Sequence, residues 1–249
     1  MSARFYSPDA NASGDVVVLP DDEAQHLTRV LRLSAGDMVR VFNGRGGEFE
    51  SVVEASAREG VRVRVGEPRA SAPEPRLAVM LAQAVLKGDK MDDVVRDAVM
   101  IGVTSIQPIV TSRIEVNSAA LERGHRRERW ERVAVSSAKQ CGRAVVPPVL
   151  EPVSLEFLIR TLLDSWLAGP SLLLVEPGAS KAAVALGALD VEPPKSATVV
   201  VGPEGGWTPD EIEAASTVCR PVTLGGRTLR ADTMALVALA ALYARWGEF

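Results

Sequence analysis

The chain is poor in the residues that cross-link or metallate small folds. It has 2 cysteines, Cys141 and Cys219, and 2 histidines, His26 and His125, in 249 residues. Two cysteines make neither a disulfide framework nor a metal set, which fits a reducing compartment and predicts a cytoplasmic protein. The two histidines are too few and too scattered for a metal site, so no metal is expected. Long apolar runs are also missing. The longest uncharged apolar stretch, around Thr233 to Ala244, is too short to span a bilayer, and no membrane partner is expected. Met1-Ser2-Ala3-Arg4-Phe5-Tyr6 has no apolar core followed by a cleavage site, so no signal peptide is expected. Nor is positive charge in excess: 28 Lys and Arg face 32 Asp and Glu, a formal net charge of -4. That weighs mildly against nucleic acid, although local patches matter more than totals.

What remains is ordinary globular material, 47% hydrophobic and 24% charged, long enough for one or two domains with a sizeable core. The first 70 residues read as β-rich. Asp21 or Asp22 is placed to cap a short helix, with Ala24, Leu27, Val30 and Leu31 on one face and Arg29 and Arg32 off it. Short strands follow at Met38–Phe42, Glu48–Val53 and Val61–Val65, with a turn at Asn43-Gly44. The last strand alternates valine with arginine, apolar inward and charge outward. Strands at this spacing suggest a small barrel. Pro68 to Pro75 carries three prolines and reads as a linker, so the domains are expected at 1–70 and 76–249.

The second domain alternates strand and helix. Leu77–Val85, Ser105–Val110 and Ser171–Val175 read as strands, and Asp89–Ile101 (closing at Gly102) and 154–168 as helices. This pattern implies an α/β domain with a mostly parallel sheet. Between them, 113–143 is the clearest basic region. A helix there buries Trp130, Val133, Ala134, Ser137 and Cys141 and leaves the arginines outside, either as a solvated face with pairs such as Glu128 to Arg132 or as a phosphate-contacting strip. Cys141 lies on the apolar face and reads as packing.

The rest is organised around 197–246. Ala197–Val201 is a short β-branched run that breaks at Gly202-Pro203-Glu204-Gly205-Gly206-Trp207. Thr208-Pro209-Asp210-Glu211 then reads as a capped helix start. A Gly-rich loop between a buried strand and a helix is the usual ligand position in a parallel sheet. This loop has no lysine and carries Glu204, Asp210 and Glu211, so a neutral or cationic ligand fits it better than a phosphate. A second strand, Pro221–Leu224, ends at Gly225-Gly226, and Arg227 to Thr233 leads into the helix Met234–Tyr243, apolar on every side and expected to be buried all round. Asp232 or Thr233 is placed to cap it. Three strand ends with Gly-containing loops result, at 176–178, 202–206 and 224–227.

Gly202-Pro203-Glu204-Gly205-Gly206 followed by Leu224-Gly225-Gly226-Arg227-Thr228-Leu229-Arg230-Ala231-Asp232-Thr233 resembles the paired motif of the small-subunit ribosomal RNA methyltransferase E family, within the SPOUT superfamily of knotted methyltransferases. Lys87-Gly88-Asp89-Lys90-Met91 and Gln140-Cys141-Gly142-Arg143 also resemble family motifs. Departures are Asp232 for the usual Glu, Met234 for Ala, Thr228 for Ile, and Lys139 for Glu. The resemblance implies a PUA-like RNA-binding barrel before a knotted, mostly parallel α/β domain. It further implies S-adenosylmethionine as cofactor, a homodimer, and N3 of uridine 1498 of 16S ribosomal RNA in the 30S small subunit as target. On the family pattern the cofactor residues are Leu174, Glu176, Val201, Gly202, Pro203, Glu204, Gly205, Gly206, Leu224, Gly225, Arg227, Leu229, Arg230 and Thr233. The RNA contacts are Arg4, Arg29, Arg32, Lys87, Gln140 and Arg143.

Methylating a uracil N3 requires losing its proton, and negative charge builds on the uracil oxygens as it leaves. A guanidinium stabilises that charge, and Arg230 is the expected donor. Asp232 and Glu204 are both candidates to accept the proton, with water or a phosphate as further acceptors. The rival readings are a related enzyme acting on transfer RNA or another ribosomal site, and a catalytically silent RNA-binding protein.

Overall fold

The structure is a computed structural model; it describes residues 2–57, 60–115, 125–164, 169–189 and 192–248. The chain forms two compact units, Met1–Glu74 with Val135–Val146, and Pro75–Ala134 with Pro147–Phe249.

In the first unit, β1 (Arg4–Tyr6), β2 (Val16–Val18), β3 (Met38–Phe42), β4 (Glu48–Ala57) and β5 (Gly60–Pro68) form one sheet in the order β1-β3-β4-β5-β2. All neighbouring pairs are antiparallel except β1 with β3. Among the described residues the expected barrel is a five-stranded sheet with β1 and β2 at its edges. In β5, Val61, Val63 and Val65 are buried and Arg62 and Arg64 exposed. The valines join Phe5, Leu27, Val39, Val41 and Phe49 in the core of this unit.

The helix after β2 departs from its expected form. α1 (Asp21–Gln25) has Pro20 at its N-cap position, and neither Asp21 nor Asp22 caps it. After one turn it widens into a π-helical turn, His26–Val30. The extra residue in that turn shifts the angular positions of the side chains within it, so Leu27 stays buried while Val30 is 67% and Leu31 41% exposed. The four apolar residues share a face only at the α-helical repeat. Arg29 and Arg32 are exposed, and Arg32 takes a positive φ of 55°.

Residues 135–146 belong to this unit because buried charge ties them there. The Arg4 guanidinium donates to Glu48 Oε2 at 2.9 Å and to the carbonyls of Ala138, Lys139 and Arg143 at 2.8, 3.0 and 2.7 Å. Arg143 Nε donates to both oxygens of Glu74 at 3.1 Å. Arg4 and Arg143, expected as RNA contacts, are instead buried struts, their donors turned onto protein carboxylates and carbonyls.

Lys139, where the family carries Glu, has found a carboxylate of its own. Its Nζ donates to Glu23 Oε2 at 2.6 Å and lies 3.0 Å from His26 Nδ1 and 4.8 Å from the Phe5 ring centre. Burial pushes the Glu23 carboxyl above its ordinary 4.5, with the Lys139 hydrogen bond pulling the other way. A raised carboxyl means the folded unit holds that proton more tightly than the unfolded chain. This group's contribution to stability therefore falls as pH rises from 4.5 through the folded value. Lys139→Met removes the counter-charge, and we expect it to cost about 3 kcal/mol at neutral pH. The cost should shrink in acid, where a protonated Glu23 needs no cation. Urea denaturation at both pH values checks this; an equal loss at each contradicts it.

In the second unit, β6 (Ala78–Ala84), β7 (Ser105–Val110), β8 (Val153–Ser154), β9 (Ser171–Leu174), β10 (Val184–Ala185), β11 (Ser196–Val201) and β12 (Arg220–Thr223) form a sheet in the order β10-β12-β9-β11-β6-β7-β8. Every pairing is parallel. The chain steps outward from β6 to β8, crosses to β9, then returns to place β11 between β9 and β6 and β12 between β10 and β9. The carboxyl ends of β12, β9, β11 and β6 therefore lie side by side on one edge.

The helices are α2 (Lys90–Ile101), α3 (His125–Cys141), α4 (Leu155–Asp164), α5 (Pro209–Ala215) and α6 (Ala231–Arg245). The first part of α3 lies in the second unit and its last part in the first. The end of the expected 154–168 helix lies outside the described residues, as does Arg123. α2 closes at Gly102, with φ of 122°. α5 has the full capping box, Glu211 N–H on Thr208 Oγ1 at 3.1 Å and Thr208 N–H on Glu211 Oε2 at 2.9 Å.

α6 is not buried all round. Met234, Ala235, Ala238, Leu239, Leu242 and Tyr243 are buried, while Thr233, Val237 and Ala244 make an exposed stripe. Its N-cap residue is Arg230, without a side-chain cap bond; Asp232 lies inside the first turn. Tyr243 Oη donates to the Gly102 carbonyl at 2.9 Å. That bond joins the C-terminal ends of α6 and α2. Among the described residues, no helix is long and apolar enough to cross a membrane.

Candidate active site

The three Gly-containing loops leave the ends of β9, β11 and β12, which are neighbours, so the sheet brings them together. A cavity of about 310 Å3 opens there. Leu174 and Glu176 line it from the β9 loop, Val201, Gly202, Pro203, Glu204, Gly206 and Trp207 from the β11 loop, and Thr228, Leu229, Arg230, Ala231 and Met234 from the β12 loop and α6. Lys90, at the start of α2 beyond β6, completes the wall.

Nine of the residues expected at the cofactor site thus share one cavity. Gly205, Leu224, Gly225, Arg227 and Thr233 lie outside its lining, and so does Asp232. Lys90, Trp207, Thr228, Ala231 and Met234 were not expected there. Lys90 stands in a family-like motif, but nothing in its spacing shows that the end of β6 lies beside that of β11. Trp207 closes the Gly-rich loop, where an aromatic residue has many roles.

The β11 loop is fixed from four sides. Trp207 Nε1 donates to the Leu174 carbonyl at 2.9 Å, joining the β9 and β11 loops. Gln83 Nε2, buried on β6, donates to the Gly202 carbonyl at 3.3 Å. Arg113 Nη1 donates to the carbonyls of Gly205 and Trp207, each at 3.2 Å. Glu211 Oε1 accepts from Ser112 N–H at 2.7 Å, tying the capping box to the end of β7. Gly202 is needed for close approach, since a Cβ there would lie 2.9 Å from Trp207 Cε2; Gly206 adopts φ of 69°. A cradle whose backbone is set before a ligand arrives loses little entropy on binding.

The charges of the cavity sort into two kinds. Glu176 and Glu204 are its carboxylates, Lys90 and Arg230 its cations. Glu204 Oε1 accepts from Lys90 Nζ at 3.0 Å and from Lys87 N–H at 3.2 Å. Its Oε2 is buried without a partner among the described residues. Arg230 is exposed, and its guanidinium has no hydrogen-bond partner among the described residues. Lys87 lies exposed beside this wall with Nζ 2.9 Å from Glu115 Oε2. Glu115 holds the lysine above its ordinary range, and the lysine holds Glu115 below the usual carboxylate range.

The basic region is more neutral than its composition suggests. Arg129 pairs with Asp89 at 2.7 Å and with Asp92, and Arg127 with Glu131 and Glu151 at 3.3 and 3.1 Å. Gln140 is exposed at the end of α3. Cys141 is half-buried, and burial pushes the Cys219 thiol up to about 12, which suits packing rather than nucleophilic chemistry.

A glycine cradle flanked by carboxylates and an unpaired guanidinium fits a ligand with both a cationic centre and an acidic end. The similarities of the chain point the same way. A family model described as an RNA methyltransferase domain matches residues 73–243, and one described as an RNA methyltransferase PUA domain matches residues 19–66. The ribosomal RNA small subunit methyltransferase E of Mycobacterium bovis is 33% identical over 97% of this chain and 92% of its own length. The protein of that name from Synechocystis is 32% identical over 92% and 73% respectively. A methyltransferase E from Neisseria gonorrhoeae, solved bound to S-adenosyl methionine, superposes with a TM-score of 0.85 at 30% identity, covering 99% of this chain and 98% of that one. A Legionella pneumophila methyltransferase, solved with the bound cofactor SAM, gives 0.87 at 30% identity, with 98% of each chain covered. The first unit is thus PUA-like, the second an RNA methyltransferase domain, and the chain belongs to the ribosomal RNA small subunit methyltransferase E family.

Proposed function

We propose that this protein transfers a methyl group from S-adenosylmethionine to N3 of uridine 1498 of 16S ribosomal RNA in the small ribosomal subunit. The observation that carries the proposal is the cavity at four adjacent strand ends, where a preset glycine loop, two carboxylates and an unpaired arginine converge. Its residues fit the cofactor. The backbone of Leu174, Gly202 and Leu229 would hold the adenosine, and the carboxylate of Glu176 suits the positive end of the methionine portion. When bound, the cofactor supplies an electrophilic methyl on a sulfonium.

The target base must be turned out of its stack to present N3. As the N3 proton leaves, charge moves onto the flanking uracil oxygens. Arg230 at the N-terminus of α6 and Lys90 at that of α2 both line the cavity; with Lys90 paired to Glu204, the Arg230 guanidinium would meet that charge. The rest of the acceleration comes from holding two reactants in line.

The PUA-like unit is assigned to RNA binding through Arg29 and Arg32, both exposed; Lys87 and Gln140 are further exposed contacts, and Lys87 stands beside the cavity. The exposed Thr233–Val237–Ala244 stripe on α6 supports a homodimer, which sedimentation at low concentration tests. The strand order, with β11 returning between β9 and β6, is compatible with the knotted superfamily fold. The reaction is tested by incubating the protein with labelled S-adenosylmethionine and unmodified 30S particles and mapping the product nucleoside. Label in 3-methyluridine at that one position is expected. Label elsewhere, or in transfer RNA only, refutes the target.

A further inference from the structure

The proposed reaction leaves the destination of the N3 proton open, and the cavity distinguishes between the two carboxylates that stand near Arg230 in sequence. Asp232 lies in the first turn of α6 and outside the cavity lining. Glu204 lines the cavity, and its two oxygens have different surroundings. Oε1 is held by Lys90 Nζ and Lys87 N–H, at 3.0 and 3.2 Å. Oε2 is buried and meets no donor among the described residues. A buried carboxylate oxygen left without a donor is costly, so an N–H or O–H brought to Oε2 is favoured there.

The direction of the side chain suggests which donor. The three glycine loops follow β9, β11 and β12, whereas the groups that hold Glu204 follow β6, on the other flank of β11. Glu204 is thus held on the β6 side of the cavity, against Lys90 at the start of α2. Glu176, exposed at the β9 loop, remains for the cofactor's cationic end.

We propose that Glu204 Oε2 is the acceptor of the uracil N3 proton, an inference that rests on the methyl transfer proposed above. The N3–H bond breaks with its electron pair left on nitrogen, and the proton passes to Oε2. The nitrogen pair forms the bond to the methyl carbon, and the carbon–sulfur bond breaks with its pair on sulfur, which becomes neutral. Glu204 returns its proton to water as product leaves. Lys90 and the Lys87 amide are positioning groups that hold the carboxylate in place.

The test uses Glu204→Gln, which keeps the size of the side chain and an oxygen to accept from Lys90 and Lys87. Calorimetry with S-adenosylhomocysteine should show affinity within about threefold of wild type, and single-turnover methylation of 30S particles should slow on the order of 10²–10⁴-fold, the range for removing a general base. The decisive arm uses small subunits reconstituted with 16S RNA transcribed with 5-fluorouridine, whose fluorine makes N3–H more acidic. On these particles the variant should recover most of its lost rate relative to wild type. Equal impairment on both RNAs overturns the inference, as does a lost cofactor affinity that accounts for the rate. Loss of turnover in Asp232→Asn with none in Glu204→Gln overturns it in favour of the other carboxylate. If wild-type protein puts no methyl on N3 at all, the proposed reaction itself is refuted, a result separate from any behaviour of the variant.

Discussion

Arg230→Ala is expected to lower single-turnover methylation by about 10²–10³-fold, the loss seen when one preset donor to a developing oxyanion is removed. Among the described residues the Arg230 side chain makes no ion pair or cap bond, and its carbonyl serves the fold, accepting from Met234 N–H at 2.7 Å. Alanine leaves that bond intact, so the urea midpoint should not move. Arg230→Lys keeps the charge but loses the planar fork, and should recover only part of the rate. Cofactor affinity decides between two roles. If Arg230 serves the target base, S-adenosylhomocysteine binds the variant normally and the loss is in the chemical step. If affinity falls as far as the rate does, the guanidinium grips the methionine carboxylate instead. Unchanged turnover removes Arg230 from the reaction.

The second large effect is expected at a residue that contacts no reacting atom. Trp207→Ala should cost about 3–5 kcal/mol, the range for emptying a large aromatic site in a core. Trp207 is only 8% exposed and packs with Ala82, Leu173 and Val200. Its indole also lies against Gly202 and donates to the Leu174 carbonyl, so one side chain sets the spacing of two cofactor loops. The variant should therefore lose cofactor affinity as well as stability. Trp207→Phe separates the two: it keeps most of the packing, gives up the Nε1 donor, and should cost about 1–2 kcal/mol. Denaturation and calorimetry on both variants check this. A Trp207→Ala protein that binds cofactor like wild type would show that the loops keep their spacing without the indole.

These two residues differ in how visible they are beforehand. Arg230 lies in a recognisable run between a Gly-Gly turn and an apolar helix, and its position at the helix start is a local matter. Trp207 follows the glycines just as plainly, yet its bond to Leu174 crosses 33 residues. The same contrast runs through the fold. The valine–arginine alternation of β5, the Thr208–Glu211 capping box and the Gly102 stop of α2 depend on neighbours a few positions away, and they appear as expected. The helix at Asp21 shows how little suffices to break such a reading. One π-helical turn exposes Val30 and Leu31, which the α-helical repeat places inside.

Local periodicity, turn chemistry and capping thus settled in advance the alternation of β5, the start of α5 and the stop of α2, because they arise from interactions within a turn or two. Tertiary structure alone decided that β12, β9, β11 and β6 stand side by side. It also decided that Arg4 and Arg143, both buried, spend their charge on protein carboxylates and carbonyls, and that Glu204 rather than Asp232 lines the cavity. Such outcomes depend on which distant groups compete for one another once water is excluded, and no spacing along the chain encodes that competition.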